Sequence, residues 1–117
     1  MKKVLVVDDS TFMRKMMMNL LIKNGYEVIG EASNGKIGLH KYIELKPDVV
    51  TMDVTMDVMD GLEALSRILG HDPNANVIMV SSMGQEIIVR DAIMLGAKNF
   101  IVKPFDDKQV LDALNKL

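Results

Sequence analysis

Two short apolar runs of this chain end in carboxylates. Val4–Val7 leads directly into Asp8 and Asp9, and Val49–Met52 leads into Asp53. Unbroken apolar runs are typical of strands buried on both faces, so adjacent parallel strands would bring these carboxylates to one edge of a sheet. Like charges that lie close resist ionising beside one another, and a divalent cation would offset that cost. Hard oxygen ligands open to water suit Mg²⁺, which favours sites shared with phosphate.

A simpler interpretation of these aspartates is helix capping, because an aspartate that follows a strand often caps the next helix. For one aspartate, capping and metal binding are equally good interpretations. Asp8, Asp9 and Asp53 each lie at a strand end, and a set of this kind favours the cation site.

Two further polar positions follow predicted strands. Lys103 comes after Phe100–Val102 and precedes Pro104. A lysine there could reach the acid cluster and act as a point charge on phosphate. Ser81 ends another run, and its hydroxyl could donate to a phosphoryl oxygen. Ser82 fits a turn or cap equally well, and the sequence barely separates the two serines.

The elements that must position these residues are five apolar runs alternating with five helical patterns. The runs are Lys3–Val7, Tyr26–Ala32, Asp48–Met52, Val77–Ser81 and Asn99–Val102. The helical stretches are Thr11–Lys23, Lys36–Leu45, Leu62–Gly70, Glu86–Leu95 and Lys108–Leu117. Ser10 or Thr11 can cap the first helix, and Gly25, Gly70 and Gly96 are expected where helices stop.

Strict β-α alternation predicts a parallel sheet with helices on both faces. The second run carries Glu27 and Glu31, so we place it at an edge. These features predict a doubly wound, flavodoxin-like (βα)5 fold with strand order 2-1-3-4-5. Ligands of such sheets bind beyond the carboxyl ends of the strands, near the switch point, where the polar positions described above fall.

Composition narrows the class of protein. The chain has 117 residues, a net charge of −2 and no cysteine, which predicts one domain over residues 1–117. The slightly negative charge argues against a nucleic-acid partner. The lack of cysteine argues against disulfides and thiol chemistry, and no apolar run is long enough to suggest membrane insertion. A cytoplasmic location is the default expectation. His40 and His71 are expected to be surface helix residues without a metal or general-base role.

Eleven methionines suggest either an adaptable surface or core filling. For Met13, Met16 and Met17, on the apolar stripe of the first helix, core filling is favoured. In the fourth helix, Ile88, Ala92 and Leu95 are expected to form the core stripe. The same helix adds further apolar residues, Ile87, Val89, Ile93 and Met94. A partner surface and a wide core stripe explain that excess equally well.

Taken together, these residues resemble the receiver domain of two-component response regulators, of the single-domain chemotaxis type. The resemblance covers Lys3 to Leu117 and is carried by the stretches 4–10, 59–61 and 100–105. It implies that Asp53 accepts a phosphoryl group from a histidine kinase. It also implies that Asp9 binds Mg²⁺ directly, Asp8 through water, and Thr55 through its backbone carbonyl.

The resemblance assigns the remaining roles as well. Lys103 would pair with the phosphoryl oxygens, and Ser81 would hydrogen-bond one of them. Phe100 would be the aromatic switch that turns inward when Ser81 moves. The peptide bond between Lys103 and Pro104 would be cis. The chain would catalyse its own phosphoryl transfer and dephosphorylation and would otherwise not be an enzyme.

The implied partners are a sensor histidine kinase, a phosphatase and a downstream target such as the flagellar motor switch. The target would bind the face formed by the fourth helix, fifth strand and fifth helix. Met83 is expected to flank the path of hydrolytic water opposite Thr55. Asp57 stands where the family usually has proline; it is interpreted as a solvated loop residue, or as part of the outer metal shell. In the second case Asp57→Pro would change Mg²⁺ affinity.

Two other functions fit less well. A Mg²⁺-dependent phosphohydrolase acting through an aspartyl-phosphate typically has a second aspartate two residues after the nucleophile, and Thr55 stands there. It also needs a substrate pocket, for which 117 residues leave little room. An FMN-binding module would need a phosphate loop after the first strand, where Asp8 and Asp9 would repel the phosphate.

Overall fold

The computed structural model describes residues 2–117, and in that span five strands alternate with five helices. The strands are β1 (Lys3–Val7), β2 (Glu27–Ala32), β3 (Val49–Met52), β4 (Val77–Ser81) and β5 (Asn99–Val102). The helices are α1 (Thr11–Lys23), α2 (Gly35–Leu45), α3 (Gly61–His71), α4 (Glu86–Leu95) and α5 (Asp107–Asn115). The predicted bounds of β1, β4, β5, α1 and α4 are confirmed. The other elements differ by one or two residues at their ends.

The strands form one parallel sheet in the order β2-β1-β3-β4-β5, which confirms the predicted fold. β1, β3 and β4 are interior strands, and their residues from Val4 to Val7, Val49 to Met52 and Val77 to Ser81 are buried. β2, which carries the charged positions Glu27 and Glu31, lies at an edge as expected.

Alternate strand residues face two separate apolar cores, one on each side of the sheet. Leu5 and Val7 of β1 belong to the core under α2, α3 and α4, where Leu65 and Ile68 pack. Val4 and Val6 belong to the core under α1 and α5. The second core includes Met17, Leu20, Leu21, Val110, Ala113 and Leu114. This double coverage explains why the interior strands are apolar without alternation.

Three local predictions were wrong. Gly70 does not end a helix; it lies inside α3, which continues to His71 and is capped by Asp72. Met16 is 41% exposed, because Met17, Leu20 and Leu21 form the buried face of α1.

The third wrong prediction concerns Leu95, which was expected in the core stripe of α4. It is 43% exposed, since it is the last residue of α4 and the chain turns away at Gly96. Gly96 (φ 117°) and Gly25 (φ 87°) do follow helices in the left-handed region, where glycine is the least strained residue. Within residues 2–117, none of the helices is long and apolar enough to cross a membrane.

Candidate functional site

The register of the sheet places the acidic residues side by side. Val7 of β1 pairs with Met52 of β3, so Asp8 and Asp53 each follow a paired position. The backbone N–H of Asp53 donates to Val7 O at 3.0 Å, which continues the ladder one step beyond the strands. The predicted convergence of the two strand ends is therefore present.

Three carboxylates form an acid cluster at this edge, from Asp8, Asp9 and Asp53, and one oxygen of each lies within 4.8 Å of the others. Asp8 and Asp53 are each 7% exposed, whereas Asp9 is exposed. The site is therefore buried on the sheet side and open on the side of Asp9. Ser10 N–H donates to Asp8 Oδ1 at 2.9 Å, and Ser10 also caps α1 by accepting from Met13 N–H.

Lys103 is the cation of the site. Its backbone N–H donates to Ser81 O at 2.8 Å, so β5 and β4 fix its place at the end of the sheet. Its Nζ lies 2.7 Å from Asp8 Oδ2 and 3.5 Å from Asp53 Oδ2. The peptide bond between Lys103 and Pro104 is cis, as the resemblance implied. One ammonium facing three carboxylates leaves the cluster with excess negative charge.

The pKa of Asp53 is set first by burial and then by the charged groups around the carboxylate. Burial raises the pKa of the Asp53 carboxyl above its ordinary value of 3.8. Asp8 and Asp9 raise the pKa further, whereas Lys103 and the N–H of Val54 lower it. The Val54 N–H donates to Asp53 Oδ1 at 2.8 Å. That bond orients the carboxylate and leaves Oδ2 on the side of Lys103.

The loop after β3 packs closely against the start of α3. Gly61 N–H donates to Val54 O at 2.7 Å, and a Cβ at Gly61 would clash with the backbone of Asp53. Glycine is therefore required at this position, because the helix start touches the chain that carries the central carboxylate.

Ser81 and Thr55 both form hydrogen bonds with Met83. Ser81 is buried, and its Oγ accepts from Met83 N–H at 3.0 Å. Ser82, which the sequence could not separate from Ser81, is exposed. Thr55, two residues after Asp53, donates through Oγ1 to Met83 Sδ at 2.9 Å. Met83 therefore links the loop after β3 to the end of β4.

The other residues singled out from the sequence lie at the margin of the site or away from it. Phe100 is half-buried on β5 beside Met79 and packs against the core under α4. Asp57 is an exposed residue of the β3–α3 loop. His40 and His71 are exposed helix residues, as expected.

Arg14 contacts the backbone of the site but was not predicted from the sequence. Its Nη1 donates to the backbone carbonyl of Asp8 at 2.6 Å, and its Nε pairs with Glu31 at 2.8 Å. The sequence signal for this contact was weak, because an arginine in the first turn of a helix and a glutamate on an edge strand often form a solvated surface ion pair. The predicted strand order does, however, place the end of β2 beside the end of β1.

The donor set fits a small divalent cation. Mg²⁺ binds oxygen at about 2.0–2.1 Å, so oxygens on opposite sides of the ion lie about 4 Å apart. The carboxylate oxygens of the cluster lie within 4.8 Å of one another, which is close to that span. The exposed Asp9 leaves room for the waters that Mg²⁺ keeps.

Comparisons with known proteins point the same way. A sequence model of the response regulator receiver domain matches residues 4–115. The chemotaxis protein CheY of Thermotoga maritima is 54% identical over 116 residues, covering 99% of this chain and 97% of the relative. CheY of Listeria monocytogenes is 55% identical over 116 residues, covering 99% and 98%.

A solved structure agrees with these relatives. A chain in the crystal structure of the CheX–CheY–BeF3–Mg²⁺ complex from Borrelia burgdorferi superposes with a TM-score of 0.96 at 41% identity. The match covers 98% of this chain and 87% of that chain.

Proposed function

The chain belongs to the response regulator receiver family and is a phosphorylation-activated response regulator of the chemotaxis type; we propose that Asp53 is its phosphoacceptor. The observation that carries this assignment is the placing of Lys103 Nζ within reach of Asp8 and Asp53. The buried carboxylate of Asp53 therefore lies beside the ammonium of Lys103 and beside Asp8 and Asp9, the pair proposed to bind a metal cation. The alternative of a general phosphohydrolase is not favoured, because the receiver match covers residues 4–115.

Phosphoryl transfer needs mainly positioning and neutralisation of charge, since the transition state spreads charge over three oxygens. A phosphohistidine is the proposed donor. Its N–P bond breaks as a bond forms from an Asp53 carboxylate oxygen to phosphorus, and the imidazole nitrogen keeps the electron pair. Lys103 moves from its pairing with the carboxylates to the incoming phosphoryl oxygens.

Receiver domains bind Mg²⁺ at an acidic pocket, and we assign that role here to Asp9, Asp53, the Thr55 carbonyl and, through water, Asp8. When bound, the ion supplies positive charge to the phosphoryl oxygens. This chain's own part is to hold the carboxylates together and to keep the buried side of the site dry. Its catalysis would be limited to its own phosphorylation and dephosphorylation.

The switch that reads the phosphoryl group would be Ser81 and Phe100. Ser81 Oγ accepts from Met83 N–H, and the same hydroxyl would donate its proton to a phosphoryl oxygen on Asp53. Movement of the β4–α4 loop toward Asp53 would then change the space beside Phe100, which is half-buried. A local charge change biasing a packed element is the usual form of such switches.

The output surface would be the face of α4, β5 and α5. α4 exposes three large apolar side chains: Ile87, Ile93 and Met94 are 58%, 46% and 79% exposed. A groove of about 290 Å³ runs along β5 and α5, lined in part by Phe100 and Val102. Exposed apolar area of this kind favours a protein partner. The proposed partners are a sensor histidine kinase, a phosphatase and a chemotaxis target such as the flagellar motor switch, in the cytoplasm.

The test is phosphorylation by acetyl phosphate followed by intact mass. With Mg²⁺ we expect one phosphoryl adduct per chain, and none with EDTA or in Asp53→Asn. Asp91→Asn, which changes an exposed carboxylate on α4, is the matched control and should still be modified. Sustained turnover of unrelated phosphate esters would instead support the phosphohydrolase.

A further inference from the structure

Arg14 ties the acid cluster to the neighbouring edge strand. It lies in the first turn of α1, and its side chain is 13% exposed. Nε donates to Glu31 Oε1 at 2.8 Å, Nη1 to Asp8 O at 2.6 Å and Nη2 to Thr11 Oγ1 at 3.3 Å. The guanidinium is therefore bound on three nitrogens to β2, to the β1–α1 loop and to its own helix.

The carbonyl contact completes a set of bonds around the backbone of Asp8. The N–H of Asp8 donates to Ala32 O at 3.0 Å, one residue beyond Glu31. Glu31 is held in turn, because Lys41 Nζ of α2 donates to its backbone oxygen at 2.5 Å. The end of β2 thus fixes the backbone of Asp8 in two ways. Ala32 accepts directly from the N–H of Asp8, and Glu31 binds Arg14, which donates to the carbonyl of Asp8.

Such a hold matters because the residues on this loop repel their neighbours. Asp8 and Asp9 face Asp53 across at most 4.8 Å, and like charges at this range favour an opened loop. Arg14 binds the carbonyl of Asp8, whereas the Asp8 carboxylate is bound by Lys103 and Ser10. The guanidinium can therefore fix the loop without competing with a cation for the carboxylates.

We propose that Arg14 is a positioning residue for the cation site, and that Glu31 orients Arg14. The proposal rests on the proposed function, because it assigns a supporting role at the same site. Partners that hold metal ligands in place typically change metal affinity by about 10–100-fold when removed. A planar guanidinium can bind Glu31 and the carbonyl together, which a lysine ammonium cannot do with the same geometry.

The first test is the Kd for Mg²⁺, measured by isothermal titration well below the melting temperature. Arg14→Met should weaken binding by about tenfold or more, and Arg14→Lys by less. The matched control is Arg67→Met, whose Nε pairs with Glu63 on α3 at 3.0 Å, and it should bind Mg²⁺ as the unmodified protein does. An unchanged Kd in Arg14→Met overturns the proposal.

Glu31→Ala tests whether Glu31 orients Arg14. The same variant replaces Arg14→Met in the experiment if Arg14→Met fails to fold. It should weaken Mg²⁺ binding less than Arg14→Met. Because Glu31 acts through Arg14, the double variant should bind no more weakly than Arg14→Met. Losses that simply add would contradict this order of action.

Two readouts separate positioning from general destabilisation. In the metal-free protein, hydrogen exchange of the Ser10 amide should speed up in Arg14→Met but not in Arg67→Met. In phosphorylation by acetyl phosphate, saturating Mg²⁺ should return Arg14→Met to the maximal rate of the unmodified protein. A maximal rate that stays low would mean that Arg14 does more than position the loop, and would overturn the proposal.

The outcome for the unmodified protein separates this inference from the proposed function. If the unmodified chain neither binds Mg²⁺ nor accepts a phosphoryl group, the proposed function itself fails. If it does both, and Asp9→Asn loses Mg²⁺ binding while Arg14→Met keeps it, the inference about Arg14 fails and the proposed function stands.

Discussion

The three carboxylates of the acid cluster differ in their surroundings, and their proposed roles follow from the difference. Asp53 is buried and held by Val54 N–H, which suits a group that must react in one orientation. Asp8 is held by Lys103 and Ser10. Asp9 is exposed, which suits a ligand of a hydrated ion. The backbone thus gives three aspartates different environments, and the roles proposed for them differ accordingly.

Val58, in the loop after β3, has a strained backbone. Its φ of 70° lies in the left-handed region, which is unfavourable for a β-branched residue, and its side chain is 77% exposed. Val58→Gly should raise the free energy of unfolding by about 1 kcal/mol, since glycine carries no Cβ penalty there. Urea denaturation measures this change. Ile37→Gly, at an exposed position of α2, is the control and should lose about 1 kcal/mol.

Met83 should control access of water to the phosphoryl group. Its Sδ accepts from Thr55 Oγ1 at 2.9 Å, and Thr55 lies two residues after Asp53. We expect this pair to flank the path of hydrolytic water, so the phosphorylated form of Met83→Ala should dephosphorylate faster. The measurement is the decay of the phosphoryl adduct after the donor is removed. An unchanged decay rate would mean that water reaches Asp53 by another route.

Among the elements, the alternation of apolar runs and helical patterns predicted a parallel sheet but did not by itself give the order of its strands. The order 2-1-3-4-5 is the arrangement of which flavodoxin and CheY are standard examples, so its prediction leaned on that precedent. The unbroken apolar runs predicted the interior strands correctly, because those strands are covered by helices on both faces. The spacing of apolar residues in a helix did not predict the exposure of Met16 and Leu95, since this spacing does not show how wide a face of the helix the sheet covers.

Contacts between distant elements were also beyond the sequence. The bond from Arg14 to the Asp8 carbonyl, and that from Tyr42 OH to Asp72 Oδ2 at 2.8 Å, depend on how loops end and on side-chain direction. Hydrophobic pattern carries no signal for either. Asp8, Asp53 and Lys103, by contrast, could be anticipated because each directly follows a strand, and parallel strands end at a common edge.

The bond between Tyr42 and Asp72 links α2 to the end of α3, and Tyr42→Phe should lower the free energy of unfolding. The bond lowers the pKa of Asp72 from 3.8, so its contribution is present above that value and is lost as the pH falls further. Burial and Asp72 raise the pKa of Tyr42 to about 12 from 10.0. The contribution is therefore full below 10.0 and is lost as the pH rises toward 12.

Denaturation of the unmodified protein and Tyr42→Phe across this pH range measures the effect. The difference should be constant near neutral pH and should shrink at both extremes. Tyr26→Phe, at the other tyrosine of the chain, is the control. A difference that does not vary with pH would contradict the proposed contribution of the Asp72 charge.

For the whole molecule, the acid cluster links folding to the cation. The cluster holds three acidic groups against one lysine, so a ligand that binds the native state and neutralises it must stabilise the fold. At a Mg²⁺ concentration about ten times its Kd, the gain should be about 1.4 kcal/mol. The melting temperature should rise by several degrees. Asp9→Asn should abolish the rise, and a rise that persists in that variant would place the cation elsewhere.

Whether Asp53 carries the phosphoryl group is tested by locating the adduct in the sequence. After phosphorylation by acetyl phosphate with Mg²⁺, borohydride reduces an acyl phosphate to an alcohol and so converts the modified aspartate to homoserine. Peptide mass analysis should find homoserine at position 53 and unmodified aspartate at Asp8, Asp9 and Asp57. Homoserine at any of those positions instead of 53 would contradict the proposal that Asp53 is the phosphoacceptor.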